Sequence, residues 1–220
     1  MPLTPESFVA ELDTQNQIAL ERIALAAAAG EPSEAVTVSA LLLLALKNEL
    51  EATECAAAWL PSTPEVNVKL ALARQAGDEA KHYKMIQARL LELGVDTKTL
   101  DPLAGGKSPL LAWMLTLQGT VARVAAGQFT REALAIVRNA EFARFCRAMG
   151  DDVTARLYEE TIQPDERHHH ELGRKLLLEL ATTDEVQAAA RDASQKVLAM
   201  AEELQEIARL KAGITRAPGC

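Results

Sequence analysis

The chain has 220 residues, a net charge of −8 and a pI near 5.1; 49% of it is apolar but only 4% is aromatic. That length suffices for one domain with a sizeable core, and the dominance of Ala and Leu in its long segments favours helix over strand. No basic tract stands out that could neutralise a phosphate backbone, so nucleic acid is a poor partner.

Start and stop signals divide the chain into helices. Thr4-Pro5 reads as an N-cap and first helical residue, and Gly30 as the stop. Ser33 is placed to cap a second helix running to about Leu60, where Pro61 ends it. Thr63-Pro64-Glu65 repeats the start signal and Gly94 closes the third helix. Residues 95–107, with Pro102, Gly105 and Gly106, form the one long connection. Ser108-Pro109 opens the next helix, with a break near Gly119 or Gly127 and an end at Gly150. Asp151 or Asp152 caps the following one, to about Leu180, and Thr183 caps the last, to about Gly213. The tail to Cys220 is expected to fray. No alternating strand pattern is visible.

Two stretches on these helices rhyme: Asp78-Glu79-Ala80-Lys81-His82 and Asp165-Glu166-Arg167-His168-His169, both D-E-x-x-H. Residues three apart share a helix face, so Glu79 and His82 can address one ion, and Glu166 and His169 likewise. Two further carboxylates fit. Glu49 lies on an apolar stripe with Leu42, Ala45, Leu46, Ala52 and Ala56, and Glu132 on one with Ala125, Phe129, Ala135 and Ala140. A carboxylate on an apolar stripe is costly unless it is paired or bound to a metal. Glu51, beside Lys47 and Asn48, reads as solvent-facing, and Glu141, between Arg138 and Arg144, as an exposed ion pair. The halves match in outline: Glu49 precedes Glu79 by 30 residues and Glu132 precedes Glu166 by 34.

On these residues the chain resembles the ferritin-like di-iron carboxylate superfamily over roughly residues 35–180. The resemblance implies an all-α, ferritin-like four-helix bundle with one long crossover. The whole chain, 1–220, is one such domain, with the metal-binding bundle at about 34–181 and extra N- and C-terminal helices at about 5–29 and 184–213. It implies Glu49, Glu79, His82, Glu132, Glu166 and His169 as metal ligands, with Glu79 and Glu166 bridging two metals. Asp78 and Asp165 would hydrogen-bond the ligand histidines, fixing their tautomer and raising their basicity. Four carboxylates and two imidazoles suit two iron ions, with manganese or a mixed Mn/Fe pair as alternatives.

The implied function is an oxygen-activating oxidase or monooxygenase that takes O₂ and a small-molecule substrate, served by an electron donor protein. A ferroxidase or iron-handling protein is the main alternative, and a non-catalytic metal-stabilised bundle the next. The motif layout is also similar to the di-iron hydroxylases that modify tRNA, from which the acidic balance departs. Cys55, Cys146 and Cys220 contain no C-x-x-C, which argues against a disulfide framework, a zinc ribbon and an accompanying thiolate iron centre of the rubrerythrin kind. The first residues lack a signal-peptide plan, and the longest apolar tract, Ala40 to Leu46, is too short to span a bilayer. A cytoplasmic protein without a membrane partner is expected, and the Ala-rich outer helices suit a homodimer.

Smaller features have plainer readings. Among His168-His169-His170, only His169 has the motif offset, leaving its neighbours as surface or supporting residues. Tyr83, Tyr158, Trp59, Trp113, Cys55 and Cys146 read as packing residues and Glu159 as a surface carboxylate. Gly77 and Pro164 each immediately precede a D-E-x-x-H, and both helices are expected to depart from ideal geometry there.

Overall fold

A computed structural model describes residues 2–30, 33 and 36–219. Among them the architecture is all-helical, with seven helices and no strand. These are α1 (Pro5–Ala29), α2 (Val38–Trp59), α3 (Val66–Glu92), the short α4 (Pro109–Met114), α5 (120–148), α6 (152–180) and α7 (Asp184–Ala212). None of them is long and apolar enough to cross a membrane.

Helix starts follow side-chain chemistry. Thr4, Thr37, Ser108, Asp151 and Thr183 each accept a bond from a backbone N–H of the first turn, satisfying donors the helix itself cannot. Two expected starts move. Ser33 does not cap α2; Thr37 does, because its extended backbone aims its hydroxyl at Ala40 N. Thr63 does not cap α3: its hydroxyl is buried and donates to the Trp59 carbonyl, closing the end of α2 instead.

α2 packs along α3 and α5 along α6, giving two hairpins that meet where α3 contacts α6. The stretch between Glu92 and Pro109 is the long connection that joins them. It is tied down by Lys47 Nζ donating to Gly106 O (2.8 Å) and Gln87 Nε2 donating to Thr97 Oγ1 (3.2 Å). Glu51, read as solvent-facing, is buried and accepts from both the N–H and the hydroxyl of Ser108. Its carboxylate therefore clamps the end of the connection to α2. α1 and α7 lie outside the hairpins, packing on each other and on α5, with α1 also against α6.

Two apolar clusters flank the centre. Phe8, Leu12, Trp59, Leu72, Met114, Phe129, Leu177 and Val197 fill one end. Leu41, Leu42, Leu46, Ile86, Leu90, Phe142 and Tyr158 fill the other. Each fully buried Leu, Ile or Phe contributes on the order of 1.5–3 kcal/mol. Cys55 and Cys146 are buried free thiols, both pushed up to about 12 by burial, and so are inert filler. Trp59 is buried and Trp113 half-buried against the first cluster.

The segment expected as one interrupted helix from Ser108 to Gly150 breaks at Leu115–Gly119 and then widens into a π-helical stretch, Ala125–Arg131, directly before Glu132. A second π stretch, Tyr158–Ile162, stands just before Pro164. Proline lacks the N–H that would continue an i→i−4 ladder, which gives this departure its local cause. At Gly77 the expectation fails. α3 is regular from Val66 to Glu92, because a lone glycine loosens a helix without obliging it to bend.

Candidate metal centre

Each hairpin brings one single glutamate and one D-E-x-x-H inward. Glu49 comes from α2, Glu79 and His82 from α3, Glu132 from α5, and Glu166 and His169 from α6. All six side chains are buried. Their potential donor atoms fall into two groups, each mutually within 4.8 Å: Glu49, Glu79, His82 and Glu166, and Glu79, Glu132, Glu166 and His169. Glu79 and Glu166 belong to both groups, so the two halves meet through them.

The imidazoles are oriented by the other hairpin's motif. His82 Nε2 lies 3.2 Å from Asp165 Oδ2, and His169 Nε2 lies 3.1 Å from Asp78 Oδ2. The aspartate of each D-E-x-x-H thus holds the histidine of the other. With Nε2–H donated to a carboxylate, Nδ1 is the atom left for the centre. His82 Nδ1 stands 3.4 Å from Glu49 Oε2 and 3.4 Å from Glu79 Oε2. His169 Nδ1 stands 3.6 Å from Glu79 Oε1, 3.6 Å from Glu166 Oε2 and 3.7 Å from Glu132 Oε2. Both Nδ1 atoms and Glu166 Oε2 are buried without a hydrogen-bond partner. Buried polar atoms that converge on one another and stay unbonded are the arrangement that a cation relieves.

The protonation pattern shows the strain of gathering these groups. Burial, opposed by its contact with His82 and reinforced by the charges of Glu132 and Glu49, pushes Glu79 up to about 8. Burial, with Glu79 and Glu132 nearby, holds Glu166 well above the usual carboxylate range. Burial alone would lower both histidines, yet the carboxylates around them outweigh it and push His82 up to about 12 and His169 to about 11. Burial would likewise raise Glu132, but His169 and Glu166 prevail and hold it down to about 2. Without a metal the cluster balances its charge with protons; divalent ions would displace them.

Supports surround the cluster. Gln75 Nε2 donates to Glu132 Oε1 at 2.5 Å. The π stretch before Glu132 is pinned by a closed set of bonds: Asn16 Nδ2 to Thr130 Oγ1 (3.0 Å), Thr130 Oγ1 with Ser194 Oγ (2.7 Å), and Ser194 Oγ to Asn16 Oδ1 (2.7 Å). His170 stacks on Phe129 and its Nδ1 lies 2.7 Å from the Phe129 carbonyl. His168 is exposed, so the two flanking histidines differ: one is at the surface, the other braces the π segment. Glu141, expected as an exposed ion pair, does pair with Arg144, but its carboxylate is buried while the guanidinium reaches solvent. Glu159 is a surface carboxylate paired with Arg147. Tyr158 is fully buried, edge-on to Phe142, with an unpartnered hydroxyl.

Sequence reasoning missed Gln75, Glu51, Asn139 and the residues after α7. Pro218 and Gly219 are buried, and Gly219 lines the small space beside Glu49, Glu79, Glu132 and Glu166. The frayed tail expected there is instead packed, because Asn48 and Asn139 hold it. Cys220 lies outside the described residues.

Compared with protein-family models, with curated proteins and with solved structures, the chain gives no match in any of the three. The centre itself is what speaks: an all-helical protein with buried Glu/His groups that could hold metal.

Proposed function

We propose that this chain is a ferritin-like dinuclear metal protein, and that its activity is an oxygen-activating oxidation of a small organic molecule, as an oxidase or monooxygenase. The observation that carries the reading is the crossed geometry: two buried Glu-x-x-His pairs with unbonded Nδ1 atoms facing in, each Nε2 held by the opposite aspartate. Such a set of four carboxylates and two imidazoles is the inward-projecting ligand pattern of di-iron and di-manganese bundles. Two iron ions, a manganese pair or one of each, when bound, supply the electrons and Lewis acidity for dioxygen reduction.

The protein's own contribution follows from its residues. Glu79 and Glu166 belong to both groups and would be shared by the two ions. Glu49 and His82 would hold one ion and Glu132 and His169 the other. Asp165 and Asp78 keep the imidazoles in the tautomer that presents Nδ1. Gln75 orients Glu132, and the apolar clusters on either side exclude water. An electron donor protein and a homodimeric assembly belong to the same proposal.

A second reading, ferrous-ion oxidation as an iron-handling protein, is favoured by one observation: the space beside the four glutamates is only about 10 Å³, room for about one water. Oxygen-uptake measurements on the iron-loaded chain separate the two. Sustained uptake only with an organic substrate and a reductant supports the oxidase. Uptake that tracks added ferrous ion, with many ferrous ions oxidised per chain and no organic substrate, supports the ferroxidase.

A further inference from the structure

The residues after α7 run back to the metal centre, where Gly219 lines the small space beside its glutamates. Gly213, at φ +64, ends α7 in a left-handed turn, with its N–H and that of Ile214 bonded back to Arg209 O and Ala208 O. The chain then runs over the end of α1, where Thr215 is buried and Arg216 Nη2 donates to Ala28 O (3.2 Å). Its far end is held by two side-chain amides from different hairpins. Asn48 Nδ2, next to Glu49 on α2, donates to Pro218 O at 2.9 Å, and Gly219 N donates to Asn139 Oδ1 on α5 at 2.7 Å. Gly219 adopts φ +73, a backbone that favours glycine, and a Cβ there would stand a tight 3.3 Å from Asn48 Cβ.

The consequence for access is geometric. Gly219, Asn48, Ala52 and Arg131 surround the opening onto Glu49, Glu79, Glu132 and Glu166, leaving about 10 Å³. Other residues of the strap, Ile214, Thr215 and Ala217, line a mostly apolar cavity of about 250 Å³ together with Leu44, Leu110 and Leu204, and Arg138 and Gln205 are also in its lining. Asn48 lines both spaces. The strap therefore borders both a space too small for an organic ligand and a cavity large enough to hold a small one.

We infer that the segment Ile214–Gly219 is a strap that closes the metal centre, and that its release joins the centre to the neighbouring apolar cavity. The inference rests on the metal reading above and adds a gate to it. Among the described residues, the far end of the strap is held by hydrogen bonds with the Asn48 and Asn139 side chains and by the burial of Pro218 and Gly219. Lifting that end breaks the bonds to Asn48 and Asn139, while the left-handed turn at Gly213 keeps the near end on α7.

The test compares the full chain with one cut after Arg216 and with Gly219→Ala, which keeps the length but disfavours the backbone turn. Each is loaded with Co²⁺ by refolding in its presence, and loss of the ion to a chelator is followed by absorbance. Circular dichroism confirms the fold. The strap predicts that release is at least about tenfold faster in the cut chain and accelerated in Gly219→Ala. Azide binding to the loaded centre should likewise be faster in both. Should the cut chain fail to fold, the Gly219→Ala rates decide. Equal rates in folded, loaded proteins overturn the strap and leave the metal centre standing. Full chain that retains no Co²⁺ after refolding overturns the metal reading, and the strap with it.

Discussion

Asp165 on α6 holds His82 on α3, with Oδ2 at 3.2 Å from Nε2. Its counterpart, Asp78 to His169 at 3.1 Å, runs the other way across the same gap. The two hairpins are thus fastened by the groups that orient the imidazoles, so the fold and the centre share their fastenings. Both aspartates are also reached by a basic side chain, Lys81 for Asp165 and Arg74 for Asp78. Burial would raise Asp165, but His82 and Lys81 outweigh it and keep its carboxyl below the usual range.

If those contacts set the imidazole orientation, Asp78→Asn with Asp165→Asn should fold and still lose metal affinity. Removing a carboxylate behind a metal-bound histidine typically costs ten- to a hundred-fold in affinity. Competition against a chelator of known affinity measures it. Unchanged affinity would assign the aspartates to helix packing alone.

The centre should be a burden on the metal-free protein. Burial, reinforced by Glu132 and Glu49, raises the Glu79 carboxyl, and burial, reinforced by Glu79 and Glu132, raises that of Glu166. Glu79→Leu with Glu166→Leu should raise the stability of the metal-free chain by about 1–3 kcal/mol, because it removes carboxyl groups buried without full hydrogen bonding, Glu166 Oε2 among them. The same variant should gain nothing from added metal. Urea unfolding with and without metal reads both effects.

Gly173 on α6 packs directly on the π stretch of α5. A Cβ there would lie 2.7 Å from Gln128 C and 2.8 Å from Phe129 N, both backbone atoms that cannot swing aside. Gly173→Ala should destabilise by about 1–3 kcal/mol through overpacking, despite alanine's better helix propensity. Thermal unfolding is the measurement. A stabilised variant would mean that the two helices do not approach this closely.

Asp151 carries a pH dependence of known sign. It caps α6 by accepting from Thr154 N and Thr154 Oγ1, and it accepts from Arg89 Nη2. Burial would raise its carboxyl, but Thr154 and Arg89 outweigh that and hold it below the ordinary value. The folded value lies below the unfolded one, near 3.9. Its stabilisation is therefore complete above the unfolded value and fades as pH falls through the folded one. Asp151→Ala should cost about 1 kcal/mol at pH 7, with the difference from wild type shrinking toward pH 2. A difference that persists unchanged at pH 2 would rule out the charged form as its source.

Much of this was legible in the sequence because it is local. Caps at Thr4, Ser108, Asp151 and Thr183 act within one turn, and the D-E-x-x-H spacing places Glu79 with His82 on one face whatever the rest does. Glu49 and Glu132 stood out because a charge on an apolar stripe needs a reason, and the structure brings both to the cluster. Glu51 misled because its reason, Ser108, lies 57 residues away. The π stretch before Glu132 depends on Asn16 and Ser194, from helices at opposite ends of the chain. The strap depends on Asn48 and Asn139, polar residues with no visible pattern of their own. Tertiary partners decide these features, and no local window contains them.

The most direct test of the central claim is metal stoichiometry. The folded wild-type chain and Glu79→Ala with Glu166→Ala are each titrated with ferrous and manganous ions under anaerobic conditions, and bound metal is counted by elemental analysis after desalting. The six-residue centre predicts about two ions per wild-type chain, lost in the variant. A wild-type chain that stays folded and binds none, or a variant that binds as many, would contradict it.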